Sequence, residues 1–102
     1  MDEAFSYRSF DWDTHNVQKN WDKHRVSFTE CEEVFFDPLI KITTDEHHSS
    51  SELRYFALGK TKMGRLLFVV FTERGEKIRV ISARDINKKE RRIYHEKSQK
   101  GT

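Results

Sequence analysis

Apolar and polar residues alternate along the chain with two different periods, one typical of helices and one typical of strands. Near the N-terminus the period is helical. Asp13 is placed to cap a first helix over residues 14–24, because its side chain can accept a hydrogen bond from the first turn. Val17, Trp21 and His24 are spaced to form the buried stripe of that helix.

A second helix is predicted from a stronger local signal. Ser27-Phe28-Thr29-Glu30 is a capping box, in which serine and glutamate satisfy each other's backbone N–H groups. Phe28, Cys31, Val34 and Phe35 share one face of this helix, and Asp37-Pro38 ends it. We therefore predict that Cys31 is a core residue and not a nucleophile.

From Pro38 onward the period changes to two, which predicts strands. The apolar run from Leu66 to Phe71 is typical of a central strand covered on both faces. A turn follows at Arg74-Gly75-Glu76. The predicted strands cover residues 39–44, 53–58, 66–72 and 77–84, with a short edge strand at 10–13.

The last strand and the helix after it carry most of the candidate chemistry. In the strand, Ile78, Val80, Ser82 and Arg84 are predicted to point one way, and Arg79, Ile81 and Ala83 the other. Asn87 caps a final helix that frays by about residue 97, with Glu90 placed to bond back to the cap. The order helix, helix, antiparallel strands, helix predicts an α+β fold.

Length and composition indicate one domain. The 102 residues allow a single modest core, with residues 1–9 as a lead-in and residues 98–102 as a tail. A single cysteine excludes a disulfide within the chain and favours a reducing compartment. The sequence has neither a secretory signal pattern nor a membrane-spanning apolar run, so we expect a cytoplasmic protein without a membrane partner.

Charge is distributed unevenly although the net charge is only +2. Residues 1–52 hold five Lys/Arg against twelve Asp/Glu, a balance of −7, whereas residues 53–102 hold fourteen against five, a balance of +9. The basic residues are interleaved with strand and helix positions instead of forming a tail. This distribution is consistent with an anionic partner for the second half, the alternative being solvated charge.

Two kinds of chemistry fit the polar residues, and the first is metal binding. Asp45, Glu46, His47 and His48 are all potential ligands, but adjacent histidines on a loop, with no third ligand at a helical spacing, are better explained by a solvated loop. We therefore predict neither a metal nor a cofactor.

Phosphate chemistry fits better. Metal-independent RNA cleavage needs a base for the 2′-OH, cations for the charge on the phosphate and an acid for the leaving oxygen. The cations would be Arg54, Arg65, Arg79 and Arg84, and the candidate proton carriers are His48, Glu52, Glu90 and Tyr94. The alternative for each arginine is a structural salt bridge, for instance Glu52 or Glu90 with Arg54 or Arg84.

Eight short motifs follow one another along the chain. They are Phe10-x-Trp12-Asp13, Asn20-x-x-Lys23-His24-x-Val26-Ser27-Phe28, Val34-Phe35-x-Asp37-Pro38, His48-Ser49-x-x-Glu52-x-Arg54, Gly64-Arg65-Leu66-Leu67, Thr72-Glu73-Arg74-Gly75, Ile81-Ser82-Ala83-Arg84 and Glu90-Arg91-x-x-Tyr94. In their order and spacing, over roughly residues 10–96, the chain resembles the BrnT family, the toxin half of type II toxin–antitoxin pairs. Asn16, Arg25 and Ile86 stand where that family usually has lysine, glycine and alanine.

The resemblance implies a RelE-like fold, with two N-terminal helices and a C-terminal helix packed on a small antiparallel sheet. It implies a metal-independent endoribonuclease that arrests growth and is neutralised by a BrnA-like ribbon-helix-helix antitoxin, in a heterotetramer that binds operator DNA through the antitoxin. Lys88, Lys89 and Arg91 on the basic final helix are expected to add RNA contacts. The alternatives are a non-catalytic antitoxin-binding co-repressor and a general nucleic-acid-binding module.

Overall fold

The structure, a computed structural model, describes residues 9–45 and 52–100, with side chains described as far as residue 96. Within these residues the chain forms three helices and five strands, an α+β architecture. In chain order they are β1 (Ser9–Phe10), α1 (Thr14–His24), α2 (Phe28–Val34), β2 (Lys41–Asp45), β3 (Arg54–Lys60), β4 (Leu66–Arg74), β5 (Lys77–Asp85) and α3 (Lys88–Lys100).

The five strands form one sheet in the order β1-β5-β4-β3-β2. All neighbours are antiparallel except β1, which pairs in parallel with β5 through Ser9↔Lys77 and Phe10↔Ile78. The prediction of a wholly antiparallel sheet is therefore wrong at this edge, where the sheet is mixed. In this pairing the Phe10 ring packs edge-on against Phe35 in the core, with ring centroids 5.5 Å apart.

The sheet separates two apolar clusters. On one face, which we call the α1/α2 face, Val26, Cys31, Val34 and Phe35 pack against strand residues, giving the main core; the strand residues are Ala57, Leu67, Val69, Phe71, Ile78, Val80 and Ala83. On the other face, which we call the α3 face, Tyr94 packs with Leu58 and Leu66. Because α3 covers only part of its face, half-buried apolar residues remain beside it.

Helix α1 occupies the predicted residues, but its buried side differs from the predicted one. Trp21 is 44% exposed, His24 is exposed and Val17 is half-buried, whereas Asn20 is buried. The physical reason lies in the edge of β5 beyond the two-residue strand β1, where backbone carbonyls have no strand partner. Asn16 Nδ2 donates to Val80 O at 3.2 Å and Lys19 Nζ to Ile81 O at 2.6 Å, so α1 presents polar side chains to this edge.

Helix α1 ends in a left-handed residue. Arg25 has φ 54°, in the left-handed conformation that most often selects glycine, the residue that the resemblance leads us to expect at this position. The guanidinium of Arg65 donates to the carbonyls of Arg25 and His24, at 2.8 and 3.1 Å. The helix C-terminus thus has a charged donor as well as its backbone cap.

Helix α2 begins as predicted. Both hydrogen bonds of the Ser27–Glu30 capping box are present, and Cys31, Val34 and Phe35 are buried. Cys31 is fully buried in the main core, which confirms it as a core residue, and this burial raises the pKa of its thiol to about 12. Phe28 differs from the prediction: it is 44% exposed, with its ring packed edge-on to Trp12.

Candidate functional site

A β-bulge in β5 decides which arginines share a face. Val70 pairs with Ser82 and Phe71 pairs with Val80, so Ile81 is an extra residue without a partner on β4. The extra residue reverses the alternation beyond it. Ala83 therefore joins Val80 in the core, and the prediction that Arg84 points with Ile78 and Val80 is wrong.

The same bulge brings Arg79 and Arg84 to one face. Their partners on β4 are Thr72 and Phe68, four residues apart and hence on the same side of the strand. Arg54 on β3 also pairs with Thr72, so Arg54 and Arg79 lie on the α3 face two strands apart. Two strand spacings separate Arg54 from Arg79 by about 10 Å, and four residues along β4 separate the levels of Arg79 and Arg84 by about 13 Å.

Arg84 and Glu90 form the best-ordered ion pair on this face. Arg84 Nη1 and Nη2 donate to the two carboxylate oxygens of Glu90 at 2.9 and 2.8 Å, and the guanidinium lies 4.2 Å from the centroid of the Phe68 ring. Glu90 also accepts from the Asn87 N–H at 2.9 Å, while Asn87 Oδ1 accepts from the Glu90 N–H, which completes the predicted helix cap.

These contacts set the protonation state of Glu90. Partial burial raises its pKa, but the hydrogen bonds from Arg84 and from the Asn87 N–H outweigh that effect and hold the pKa below its ordinary value. Glu90 is therefore an ionised carboxylate at neutral pH, already engaged by a cation.

Next to this ion pair the sheet and α3 enclose a cavity of about 420 Å³, which we call the sheet groove. Its size is within the range of small-molecule and cofactor pockets. It combines apolar and cationic side chains, and its lining residues are Lys41, Thr43, Phe56, Leu58, Phe68, Asn87, Lys89, Glu90 and Ile93.

Arg79 is held at the other end of the face by the N-terminal segment. Its guanidinium is 2.5 Å from Asp13 Oδ2 and 3.4 Å from Asp11 Oδ2. The hydrogen bond from Arg79, together with one from the Asn16 N–H, lowers the pKa of Asp13. Since Asp13 also caps α1, Arg79 joins the start of that helix to β5.

Arg65 stands apart from the sheet groove. Its guanidinium bonds bidentately to Asp85, at 2.7 and 3.2 Å, and lies 3.2 Å from both oxygens of Glu30. With the two carbonyls at the end of α1, Arg65 joins three other parts of the fold to the turn before β4: the end of α1, α2 and the end of β5. These contacts favour a structural role for Arg65 over the predicted contact with RNA.

Tyr94 is likewise engaged in the interior. Its side chain is 1% exposed, and its hydroxyl donates to Asp37 Oδ2 at 2.6 Å. Burial and this carboxylate both raise the pKa of Tyr94. Asp37 also accepts from the Leu39 and Lys60 N–H groups, at 2.9 and 2.8 Å, so the hydroxyl of Tyr94 is part of a buried hub.

The remaining predicted site residues lie elsewhere. Glu52 is 3.5 Å from Arg74, outside the groove lining, and His48 lies outside the described residues. Lys88 and Arg91 are exposed on α3, whereas Lys89 lines the sheet groove. Over residues 9–45 and 52–100, no group of three or more His, Cys, Asp or Glu side chains is arranged to hold a metal ion.

Sequence reasoning missed several groove residues, among them Lys41, Thr43, Phe56 and Phe68. The available signal was that Phe56 and Phe68 alternate with core residues on β3 and β4, which puts them on the opposite face from Ala57 and Val69. The position of α3, which leaves these rings partly uncovered, follows only from the tertiary structure.

The fold and the groove define a small α+β domain with a cationic, aromatic-lined sheet face. The model of the family described as the ribonuclease toxin BrnT of type II toxin–antitoxin systems matches residues 12–90, more than three quarters of the chain. The chain belongs to this family. Its class is therefore that of type II ribonuclease toxins, with an RNA target and an antitoxin as partners.

A solved structure agrees with the fold. The crystal structure of the Brucella abortus ribonuclease toxin, BrnT, is similar to this chain with a TM-score of 0.61 and 23% sequence identity, over 79% of this chain and 99% of that chain. Among curated proteins no match was found. Over the described residues, the structure has no helix long and apolar enough to span a membrane.

Proposed function

We propose that the chain is a metal-independent endoribonuclease that arrests growth by cutting RNA in the sheet groove and is neutralised by a BrnA-like ribbon-helix-helix antitoxin. The observation that most supports this proposal is the position of Arg54, Arg79 and Arg84 on one face of the sheet beside a cationic cavity. Guanidinium groups on one face suit a phosphodiester backbone, because each can bind two phosphate oxygens. To do so, Arg84 exchanges its ion pair with Glu90 for a phosphate, and Arg79 exchanges those with Asp11 and Asp13.

Arg84 is the principal phosphate ligand in this proposal. It is 37% exposed in its side chain and already oriented by Glu90 and Phe68, so little conformational entropy is lost on binding. A phosphate that competes with Glu90 for the guanidinium of Arg84 weakens the hydrogen bonds from Arg84 that lower the pKa of Glu90, and only the one from the Asn87 N–H remains in full. The pKa of Glu90 then rises toward the range of a general base, so that substrate binding itself activates the carboxylate.

Other proton carriers complete the proposal. Glu52 and His48 are the alternative bases, and Tyr94 or a second proton carrier would be the acid. Lys88 and Arg91, exposed at the start of α3, add contacts to RNA next to Lys89. The antitoxin acts through charge complementarity, since an acidic segment can cover the same cationic face.

The test is cleavage of RNA by the purified chain in EDTA, with and without its antitoxin. We expect RNA fragments from the wild type, none after Arg84→Ala, and partial loss after Arg84→Lys, which keeps the charge but loses the bidentate geometry. Each oxyanion ligand of this kind is worth on the order of 10²–10³ in rate. In cells, Arg84→Ala and Arg79→Ala should relieve growth arrest.

The matched control is Arg25→Gly. It removes the same charge from the end of α1, outside the lining of the sheet groove, and glycine suits the positive φ at this position. Circular dichroism establishes that each variant is folded. The absence of fragments from the wild type would instead favour a non-catalytic antitoxin-binding co-repressor, and unchanged toxicity of both folded arginine variants would exclude the proposed site.

A further inference from the structure

The floor of the sheet groove is aromatic. Phe56 and Phe68 lie on adjacent strands with ring centroids 5.0 Å apart and planes tilted by 41°. Both are half-buried, and Leu58 and Ile93 border them. Side chains of this kind are normally covered when they serve only the core, yet here they line an open cavity of about 420 Å³.

Cations surround this apolar floor. Lys41, Leu58, Phe68 and Arg84 are paired in that order across strands β2 to β5. Lys41 and Arg84 are therefore the two ends of a line of side chains that crosses the sheet. Lys89 faces the cavity from α3. Over the part of the chain that the structure describes, no carboxylate is within 4.0 Å of Lys41 or Lys89, so both ammonium groups can bind an anionic ligand.

The rim also carries neutral hydrogen-bonding groups. Thr43 lies directly opposite Phe56 in the β2–β3 register, and Asn87 lines the cavity at the start of α3. A hydroxyl can donate or accept, and an amide offers both an oxygen and an NH₂ group. The groove thus combines a flat apolar surface, polar groups at its rim and cations outside them.

We propose that the sheet groove binds one unstacked nucleobase of single-stranded RNA, with Phe56 as the stacking platform and Lys41 and Lys89 on the neighbouring phosphates. This inference rests on the proposed function, in that RNA is the substrate. Single-stranded RNA is recognised by stacking bases on aromatic side chains while cations follow the backbone. An apolar side chain from a protein would use the floor but not the surrounding cations.

Phe56 is the stacking residue because Phe68 is already occupied. The guanidinium of Arg84 lies over the Phe68 ring at 4.2 Å, which covers one of its faces. Phe56 has Thr43 on one neighbouring strand and Val70 on the other, and both are small enough to leave a base room above the ring. Thr43 is then placed to contact the edge of the bound base and contribute to base preference.

The experiment measures binding of a short 2′-O-methyl RNA that carries one 2-aminopurine, in EDTA. The 2′-O-methyl group prevents cleavage, and stacking quenches 2-aminopurine fluorescence. We expect Phe56→Ala to raise the Kd roughly tenfold and abolish the quenching, in line with the strength of one base–aromatic stack. Phe56→Tyr should restore both, and Phe56→Leu, which keeps apolar bulk, should not.

Two comparisons isolate the base from the phosphates. Replacing 2-aminopurine by an abasic nucleotide should raise the Kd of the wild type by a similar factor. Wild type and Phe56→Ala should then bind the abasic RNA equally. The slope of the logarithm of the Kd against the logarithm of the salt concentration should be the same for the wild type and for Phe56→Ala, because the phosphate contacts are unchanged. Phe36→Ala, which removes a ring that is 61% exposed and outside the groove lining, should bind like the wild type.

The outcomes separate this inference from the proposed function. Equal binding of the base-containing and abasic RNA by a wild type that still cleaves RNA would overturn the base site alone. A wild type that neither binds nor cleaves RNA would overturn both. If Phe56→Ala weakens the complex with purified antitoxin but leaves RNA binding intact, the groove receives a protein side chain and the base site is wrong.

Discussion

Arg65 and Tyr94 are polar side chains that the fold uses for its own cohesion. Arg65 joins the end of α1, α2 and the end of β5 through two carboxylates and two carbonyls. Tyr94 joins α3 to Asp37, which also accepts hydrogen bonds from the end of the loop between α2 and β2 and from the end of β3. The guanidinium of Arg65 and the hydroxyl of Tyr94 are thus both hydrogen-bonded within the chain, which argues against direct contact of either group with RNA.

The role of Tyr94 is tested by Tyr94→Phe. We expect a loss of about 1–2 kcal/mol in the free energy of unfolding, because buried Asp37 loses one of its donors. Urea titration measures this loss. RNA cleavage per folded molecule should be unchanged.

Tyr55→Phe is the matched control, since the Tyr55 hydroxyl donates to half-buried Glu73 at the longer distance of 3.2 Å and its loss should cost less. Lost cleavage by Tyr94→Phe at unchanged stability would contradict the structural role and support Tyr94 as the acid.

At the scale of elements, backbone geometry positions the site. The bulge at Ile81 turns Arg84 toward α3, and α1 covers the bulged edge with Asn16 and Lys19. On the opposite face, α2 approaches β3 so closely that only glycine fits at position 59. The sheet is therefore fixed from the α1/α2 side, while the α3 side retains an open groove.

Gly59→Ala tests the close approach of α2. A Cβ at this position would lie 2.6 Å from Val34 Cγ1 and 3.0 Å from Val34 O, so the helix must shift. We expect a loss of about 1–3 kcal/mol in the free energy of unfolding, as for other overpacked cores, measured by urea or thermal unfolding.

A double-mutant cycle provides the control. In a Val34→Ala background, which removes Cγ1, the cost of Gly59→Ala should be smaller, although the contact with the carbonyl remains. Equal costs in both backgrounds would show that the Val34 side chain does not contribute to the cost of Gly59→Ala.

At the scale of the whole molecule, the charge asymmetry serves two purposes. Arg65 pairs with Glu30, and Arg79 with Asp11 and Asp13, so ion pairs join the acidic N-terminal half to the basic C-terminal half. The cations that line the groove, Lys89 from the basic half and Lys41 from the acidic half, have no such carboxylate among the described residues. Part of the asymmetry thus stabilises the fold, and the remainder produces a cationic surface.

Acid pH should weaken the Arg65 network. Hydrogen bonds from Arg65 lower the pKa of Asp85, and for Glu30 those from Ser27 and Arg65 outweigh the effect of partial burial. Carboxyl groups with lowered pKa stabilise the fold above their ordinary values, 3.8 and 4.5, and that stabilisation is lost as the pH falls through the lowered values. Arg65→Ala should therefore cost about 2 kcal/mol at pH 7 and progressively less toward pH 3.

Urea unfolding at pH 7, 5 and 3 measures this difference. Arg91→Ala is the control, since Arg91 is exposed and makes no ion pair with a described residue, and its small effect should not change with pH. A gap between wild type and Arg65→Ala that stays constant from pH 7 to pH 3 would contradict the proposed network.

The features that could be predicted from the sequence are those that depend on residues close together in the chain. The caps at Asp13, Ser27 and Asn87 start the three helices where predicted, because capping depends on residues only three positions apart. The strands on either side of Gly75 extend only one or two residues beyond their predicted ends. The order of the family motifs was also sufficient to identify the family that the chain belongs to.

The sequence alone therefore determined the order of the main elements, the α+β class and the ribonuclease toxin family, because these depend on local spacing and on motif order. The ends of elements were predicted less well: α3 runs to Lys100, beyond the predicted end near residue 97, and β1 covers Ser9–Phe10 where residues 10–13 were predicted. Tertiary structure decided the bulge at Ile81, the polar underside of α1 and the parallel pairing of β1, since each depends on partners distant in the chain. It also decided that Arg65 and Tyr94 are engaged by carboxylates of their own chain, whereas Phe56 and Lys41 line a cavity. Whether a polar side chain faces its own fold or a ligand is a property of packing, which spacing along the chain does not encode.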